Sequence, residues 1–291
     1  KQKPDYVILI DYPGFNLRIA KALREKSSKA GWHPKVIFYV SPQIWAWHES
    51  RIHQIARDID LMLAIFPFEK AWYAERKPGF RVEFVGHPLV DRYSPAMTEG
   101  PPERLRSLLL LPGSRVREVR KHLPMMIQAA RRIAADGAVH LEMVLPSEKL
   151  KQLALSLTDL TGVQIRVGNL AEALATATVA IASSGTVTME CAWFGVPTVV
   201  LYKTSWSTYR LGRRFIRVKY LAMPNLLADA EVFPEFIQDD ASAENIYAAA
   251  RLLLDDPGRQ AAIKKQLQHV VESLGQPGAS LRAARAILSL K

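Results

Sequence analysis

The sequence predicts an α/β protein with two doubly wound domains, a cleft between them, and a first domain that is incomplete. Three observations lead to this prediction. Short apolar runs alternate with stretches of helical periodicity along most of the 291 residues. The apolar runs are continuous rather than alternating, which is typical of parallel strands buried on both faces. An aperiodic segment rich in Pro, Ser and Gly, residues 94–107, separates two sets of these units.

The first domain, residues 1–98, begins with the strand YVILID and the helix FNLRIAKALREKSSKAG, followed by the strands KVIFYVS, LMLAIFPFE and VEFVGHP. It shows only these four strands and no glycine-rich loop after the first, so we expect it to be incomplete. The second domain, residues 99–275, repeats strand and helix from SLLLLPG to PTVVLY, the order of a doubly wound sheet. Residues 276–291 form a last amphipathic helix, which packs either on the first domain or on a neighbouring chain of a homodimer.

Composition limits the partners and the compartment. The 39 Lys and Arg residues exceed the 28 Asp and Glu residues, giving a net charge of +11 that favours polyanions, anionic membranes or phosphorylated substrates. The single cysteine, Cys191, excludes an intramolecular disulfide. No apolar run approaches the ~18 residues of a membrane span, and the N-terminus has no signal-peptide pattern. We therefore expect a cytoplasmic protein.

The stretch IASSGTVTME marks a turn from a strand into a helix and has two interpretations. Ser184, Gly185 and Thr186 form a tight turn and an N-cap, since hydroxyl oxygens satisfy the first N–H groups of a helix. Alternatively, the same N–H groups and the helix dipole bind a phosphate. The turn by itself does not decide between these interpretations.

A second turn, in LLLLPGSRVREV, follows the first strand of the second domain. Gly113 and Ser114 allow close approach of the backbone, and Arg115 suits bidentate binding of phosphate, although a surface arginine in a turn is an equal alternative. Neither turn matches the phosphate loop of ATPases or the GxGxxG of dehydrogenases.

Glu190 lies one helical turn beyond Thr186, where its carboxylate suits a ribose diol; alternatively it complements the helix dipole. Together, the hydroxyl turn, Arg115 and Glu190 predict a sugar nucleotide on the second domain. No dense cluster of carboxylates or histidines predicts a metal site.

Two further stretches are candidates for contacts with apolar or anionic partners. Trp45 and Trp47 in IWAW are candidates for a hydrophobic wall, and core packing is the alternative. Four arginines recur at i, i+3, i+4 and i+7, which places them on one face if the segment is helical: Arg210, Arg213, Arg214 and Arg217. Such a face suits anionic headgroups, and a solvated helix face is the alternative.

Seven motifs carry a resemblance that covers essentially the whole chain: IDYPGFN, YVSPQIWAW, FPFEKAWY, VGHPLVD, LLPGSRVREV, ASSGTVTMEC and MPNLLAD. In this order and spacing they resemble lipid A disaccharide synthases, which are inverting glycosyltransferases of the two-domain GT-B architecture. The chain departs from the family pattern in lacking the opening strands with their SGD loop, and in having His48 and Asp229 where the family has Arg or Lys and Gly.

The resemblance implies transfer from UDP-2,3-diacylglucosamine to the 6-hydroxyl of 2,3-diacylglucosamine 1-phosphate (lipid X), giving a β-1,6 disaccharide 1-phosphate and UDP. It implies no cofactor and no metal. Asp11, at the end of the first strand, is the candidate base that accepts the acceptor's proton, and a turn or N-cap role is the alternative. Arg115 and the helix after ASSGT would stabilise the leaving diphosphate, Glu190 would hold the ribose, and Asn225 would contact the nucleotide or phosphates.

Two classes of alternative stay open. One is another GT-B enzyme, a UDP-N-acetylglucosamine 2-epimerase or a peptidoglycan glycosyltransferase, against which the WAW and PNLLA segments weigh. The other is a basic protein without catalysis that binds RNA or membranes. Since no aromatic-rich nucleic-acid motif accompanies the charge, we expect no nucleic-acid partner. The acylated substrates that the resemblance implies instead predict peripheral association with the anionic inner-membrane surface, and they make Trp45 and Trp47 candidates for a wall around acyl chains.

Overall fold

A computed structural model of the chain describes residues 3–98, 106–204 and 218–290. The chain divides into two compact units. The first includes Lys1–Tyr93 and Glu272–Lys291, and the second includes residues 94–204 and Lys219–Val271.

The described strands are β1 (Tyr6–Ile10), β2 (Lys35–Tyr39), β3 (Leu61–Ala64), β4 (Val82–Phe84), β5 (Ser107–Leu111), β6 (His140–Leu145), β7 (Val163–Val167), β8 (Val179–Ser183), β9 (Thr198–Tyr202) and β10 (Glu235–Ile237). The described α-helices are α1 (Pro13–Lys29), α2 (Ile52–Asp58), α3 (Pro67–Arg76), α4 (Leu89–Arg92), α5 (Val116–Ala135), α6 (Glu148–Leu157), α7 (Leu170–Thr176), α8 (Thr186–Trp193), α9 (Met223–Ala228), α10 (Ala243–Asp255), α11 (Pro257–Ser273) and α12 (Ala279–Leu288). Short 3₁₀ helices lie at Glu49–Arg51 and Pro95–Thr98.

The first unit is built on a four-stranded parallel sheet in the order β1-β2-β3-β4. Strands β2 and β3 are buried on both faces, as their continuous apolar runs predict. The edge strand β1 is not, because Ile8 and Ile10 are exposed. Val36 and Phe38 of β2 contribute to a core with residues of α1, α2 and α3, whereas Ile37 between them faces the opposite side. This alternation follows from the two-residue period of a strand.

The last helix, α12, covers that opposite face within the first unit. Ala283 and Ala286 of α12 pack in one cluster with Ile37 and with residues of β3. The Arg282 side chain donates from Nε to the Val85 carbonyl at 2.7 Å. Of the two expected positions of the final helix, the structure shows the one on the first unit.

The second unit is built on a six-stranded parallel sheet in the order β10-β9-β8-β5-β6-β7. From β5 the chain first builds outward through β6 and β7, and then returns to β8 on the other side of β5 and continues through β9 to β10. The strand order therefore reverses between β5 and β8, and sheets of this kind bind ligands beyond the carboxyl ends of the strands at that point. The predicted α/β class with parallel sheets is confirmed.

Candidate anion site and the residues around it

The carboxyl ends of β5 and β8 are neighbours, because the two strands pair directly with Leu111 opposite Ala182. The turn that carries Gly113, Ser114 and Arg115 follows β5, and the turn that carries Ser184, Gly185 and Thr186 follows β8. Two turns that are about 70 residues apart in sequence are thus brought to one edge of the sheet, at its reversal point.

The hydroxyl groups after β8 do not cap the helix that follows. Helix α8 begins at Thr186 with Gly185 as its N-cap residue and with no side-chain cap hydrogen bond. The Thr188 hydroxyl instead donates to the Gly185 carbonyl at 2.7 Å, and the Ser184 hydroxyl donates to the Leu221 carbonyl at 3.5 Å. The N-cap interpretation therefore does not describe this turn, and the start of α8 remains suited to an anion.

Gly185 has a backbone conformation that requires glycine. Its φ of 158° and ψ of −164° lie in a region that is essentially restricted to this residue. Within the part of the chain that the structure describes, no heavy atom beyond Gly185 and its chain neighbours lies within 4 Å of where a Cβ would stand. The backbone before α8 consequently faces open space rather than a packed core.

The turn after β5 is organised by Glu118, which the sequence analysis did not identify. Its carboxylate accepts hydrogen bonds from the backbone N–H of Ser114 at 2.9 Å and of Arg115 at 3.2 Å. A Cβ on Gly113, whose φ is +125°, would lie 2.5 Å from the Glu118 Cβ, so glycine is required where this side chain folds back. A glutamate three residues after a helix N-cap is a known sequence signal, and it was available here.

Arg115 also contacts Glu118, from its guanidinium Nη1 at 2.6 Å. Its side chain is 79% exposed, and an ion pair in such surroundings contributes only about 0–1 kcal/mol. Breaking this ion pair so that the guanidinium can bind a ligand therefore costs little free energy.

A cavity of about 450 Å³ opens beside these turns in the second unit. Its lining includes four cationic side chains and one carboxylate, that of Glu118: the cations are Arg115, Arg117, Lys121 and Lys203. Ser184 and Tyr202 also line it. A concave site with this excess of positive charge favours a multiply charged anion. Sequence analysis found Arg115 and Ser184 but missed the other cations, which lie on a helix face and at the end of β9.

His122 is a further buried residue of this site that sequence analysis missed. Its Nδ1 lies 3.1 Å from the Pro112 carbonyl oxygen, and its Nε2 accepts a hydrogen bond from the Lys203 N–H at 3.1 Å. Burial lowers the pKa of His122 below its ordinary value, which keeps the ring neutral.

The two other predicted nucleotide contacts lie on neighbouring helices. Glu190 is buried in α8, one turn beyond Thr186, and α8 packs against α9, which carries Asn225. A contact between Glu190 and a ribose stays a prediction.

Asn225 is fully buried, and its amide is occupied by the protein. Its Nδ2 donates to the Phe233 carbonyl at 2.7 Å and to Glu235 at 2.8 Å, and its Oδ1 accepts from the Phe233 N–H at 2.8 Å. Glu235 in turn accepts from the N–H groups of Leu221 and Ala222, just before α9. A direct contact between Asn225 and a nucleotide stays a prediction that these hydrogen bonds do not favour; they indicate that Asn225 holds α9 in place.

In the first unit, Asp11 lies at the carboxyl end of β1 with an exposed side chain. Asp11 and Tyr12 both have positive φ, 49° and 43°, and Val40 at the end of β2 has a φ of 68°. The Asn16 side chain supports this turn by donating to the Asp11 carbonyl at 2.7 Å. Such conformations are tolerated by Asp but strained for Tyr12 and the β-branched Val40, and strain of this kind clusters at functional sites.

The two tryptophans of IWAW have different environments. Trp45 is buried and donates from Nε1 to the carboxylate of Glu69 at 3.1 Å, so the core interpretation describes it. Trp47 is 49% exposed and packs against the ring of His48, with 5.3 Å between ring centroids. Only Trp47 is therefore available for contact with an acyl chain.

The four arginines of the predicted basic face, Arg210, Arg213, Arg214 and Arg217, lie outside the described residues. In the described ranges, no three His, Cys, Asp or Glu side chains form a group that could hold a metal ion. The helices of those ranges include none that is both long and apolar enough to cross a membrane.

Comparison with known proteins gives a consistent result. The family model for lipid-A-disaccharide synthetase matches residues 1–289. Lipid-A-disaccharide synthase from Syntrophus aciditrophicus is 39% identical over 300 residues, which cover 99% of this chain and 76% of that protein. Lipid-A-disaccharide synthase 1 from Legionella pneumophila (strain Philadelphia 1) is 39% identical over 286 residues, covering 94% and 72% of the two chains.

Solved structures support the fold at much lower identity. A co-structure of Staphylococcus aureus MnaA with UDP aligns with a TM-score of 0.60 at 16% identity, over 98% of this chain and 74% of that one. The calicheamicin glycosyltransferase CalG4 aligns with a TM-score of 0.59 at 16% identity, over 99% and 74%. The family model and the identity to these two synthases exclude the non-catalytic alternative. The chain belongs to the lipid-A-disaccharide synthetase family: it is a glycosyltransferase of the GT-B fold that forms the disaccharide of lipid A.

Proposed function

We propose that the cationic cavity of the second unit binds the diphosphate of a UDP-sugar donor. The observation that carries this proposal is the uncapped start of α8, which lies at the reversal point of the sheet. N–H groups at a helix start and arginine side chains are the groups that proteins use to bind phosphates. The fold similarity to a protein studied in complex with UDP supports the same assignment.

The donor in this proposal is UDP-2,3-diacylglucosamine, and the acceptor is 2,3-diacylglucosamine 1-phosphate. The reaction breaks the bond between the sugar C1 and the diphosphate oxygen and forms a bond from C1 to the acceptor's 6-oxygen. Negative charge grows on the leaving UDP as the bond breaks, and Arg115 and the start of α8 stabilise that charge. Since the attacking oxygen and the leaving group occupy opposite sides of C1, the product has the inverted, β configuration.

Asp11 is the proposed general base for the acceptor hydroxyl. Its carboxylate is exposed at the end of β1, within the strained turn that the Asn16 side chain supports. A base positioned in this way accelerates a reaction by about 10²–10⁴-fold. The strain at Tyr12 and Val40, which lie beside Asp11 and at the end of the neighbouring strand, favours this role over a simple turn, because these bulky residues adopt positive φ.

Peripheral binding to the anionic inner-membrane surface is part of the same proposal. Acylated substrates reside in the membrane, and the exposed Trp47 together with the net charge of +11 suits contact with it. Sedimentation with vesicles of phosphatidylcholine alone and with added phosphatidylglycerol tests this, and equal binding to both would contradict the electrostatic contribution.

Calorimetry of UDP binding tests the nucleotide site. We expect the parent chain to bind UDP and Arg115→Ala to bind about 10- to 100-fold more weakly, as loss of a charge-assisted hydrogen bond predicts. Arg131→Ala is the matched control, because Arg131 lies on the same helix but pairs with Asp159. Absence of UDP binding by the correctly folded parent chain would remove the physical support for the site.

A further inference from the structure

His122 is placed across the end of the strand that precedes the proposed phosphate site. Its two hydrogen bonds reach Pro112, which follows β5, and Lys203, which follows β9. In the sheet these two strands lie on either side of β8 and are not paired with each other. Two strand spacings correspond to about 10 Å, so the imidazole links two loops that no backbone ladder connects.

The hydrogen-bonding partners determine the state of the ring. The Pro112 carbonyl only accepts, so the His122 Nδ1 must carry a hydrogen. The Lys203 backbone N–H only donates, so the His122 Nε2 must be the unprotonated acceptor. A protonated ring would direct a second N–H at the Lys203 N–H and lose this link.

We propose that His122, in its neutral form with hydrogen on Nδ1, is a positioning residue that sets the placement of Lys203 in the lining of the anion site that it shares with Arg115. This inference rests on the proposed UDP site. It assigns to His122 the role of holding a cationic residue in place, in addition to the cations that would contact the ligand. His122 is 1% exposed, so it acts through the residues it holds rather than by contact with the ligand.

Neighbouring contacts also fix the loops that follow β5 and β9. Glu118, one turn before His122 on α5, fixes the turn that carries Arg115. On the other side, the Thr204 N–H donates to the side chain of Gln238 at 2.7 Å, so the residue after Lys203 is held as well. Helix α5 thereby uses two side chains, at positions i and i+4, to fix the two loops that carry cations.

Burial opposes protonation of the ring and is the largest cause of the lowered pKa of His122. The charges on its own helix act in opposite directions, since Glu118 raises this pKa and Lys121 lowers it. Among the described residues, Arg115, Arg117 and Lys203 also line the cavity beside the ring. The link to Lys203 is therefore maintained at neutral pH and is lost when acid protonates the ring.

Three variants separate the two hydrogen bonds. His122→Gln has an amide oxygen that reaches the position of Nε2 and retains an acceptor for Lys203. His122→Asn has a shorter amide that replaces only the Nδ1 donor, and His122→Leu removes both. We expect the dissociation constant for UDP to rise about 10-fold or more in the Leu and Asn variants and to stay within about threefold of the parent in the Gln variant.

A double-mutant cycle with Lys203→Met distinguishes positioning from general stability. If His122 acts through Lys203, adding His122→Leu to Lys203→Met weakens UDP binding less than it does in the parent. Additive effects would overturn the proposal, and so would parental affinity in both the Leu and Asn variants. His140→Leu is the control for loss of a histidine, because His140 lies at the start of β6, at the amino ends of the strands and away from the anion site.

The outcomes also separate this inference from the proposed function. A parent chain that fails to bind UDP overturns the site and the inference together. If the parent chain binds UDP and the His122 variants bind it with the same affinity, the inference alone is overturned. If His122→Leu does not fold, the comparison of Gln with Asn still decides, since equal affinity of these two would contradict a role through Lys203.

Discussion

Glu69 provides a test of how burial and hydrogen bonding compete in the first unit. Its side chain is fully buried, and its carboxylate accepts hydrogen bonds from the N–H groups of Ile65, Phe66 and the Trp45 indole. Burial raises the pKa of Glu69 to about 7, against these hydrogen bonds, which favour the ionised form. Glu69→Gln removes the ionisation while it keeps a side chain of nearly the same size.

The magnitude follows from the difference between the folded and unfolded chain. The pKa of Glu69 rises from its ordinary value of 4.5 to about 7 in the folded chain. At ~1.4 kcal/mol for each pH unit, this difference corresponds to about 3 kcal/mol in the free energy of unfolding. Because the folded pKa of Glu69 is the higher one, its contribution to stability is fully present below pH 4.5 and is lost as the pH rises through about 7. The difference in free energy of unfolding between the parent and Glu69→Gln should therefore shift by about 2–3 kcal/mol between about pH 5 and about pH 8, with the parent relatively more stable in acid.

Urea unfolding followed by tryptophan fluorescence at several pH values measures this difference. Four of the six tryptophans belong to the first unit: Trp32, Trp45, Trp47 and Trp72. Other titrating groups, including the buried His87, are common to both proteins and cancel in the difference. Glu75→Gln is the matched control, since Glu75 lies on the same helix with a side chain that is 72% exposed. Parallel stability curves for the parent and Glu69→Gln would show that the carboxylate is ionised when folded, and would refute the dominance of burial.

Three further substitutions test the sites. Asp11→Asn keeps a residue that tolerates positive φ but removes the base, so kcat in a transfer assay should fall about 10²–10⁴-fold while Asp5→Asn leaves it unchanged; parental kcat in Asp11→Asn would exclude the base. Gly113→Ala places a Cβ 2.5 Å from Glu118 and should weaken UDP binding about 10-fold in calorimetry; unaltered affinity would show that the turn yields. Asn225→Asp sets two carboxylates together and should destabilise the second unit by about 2–4 kcal/mol in thermal unfolding, whereas an unchanged melting temperature would contradict a structural role.

Most of the fold was predictable because its signals are local. The apolar run VAIAS predicted β8, and the small residues after it predicted the turn at which α8 begins. Arg115 and Ser184 were predicted because each lies in a turn that follows a strand, where parallel sheets place their ligands, and both line the cavity. What the turn after β8 does was not predictable, since a serine hydroxyl has the same sequence pattern whether it caps a helix or donates to a distant carbonyl.

The sequence by itself determined strands β1 to β9, several of the longer helices and the family of this protein, because apolar periodicity, turn chemistry and motif spacing are local properties of the chain. It did not predict β10 or the helices between Met223 and Ser273. Only the tertiary structure decided which side chains hold the site together. His122 reaches Lys203, which is 81 residues away, and Asn225 meets Glu235 on a different element. Such pairs depend on the order of strands in the sheet, and that order is set by packing of whole elements rather than by any local preference of the residues concerned.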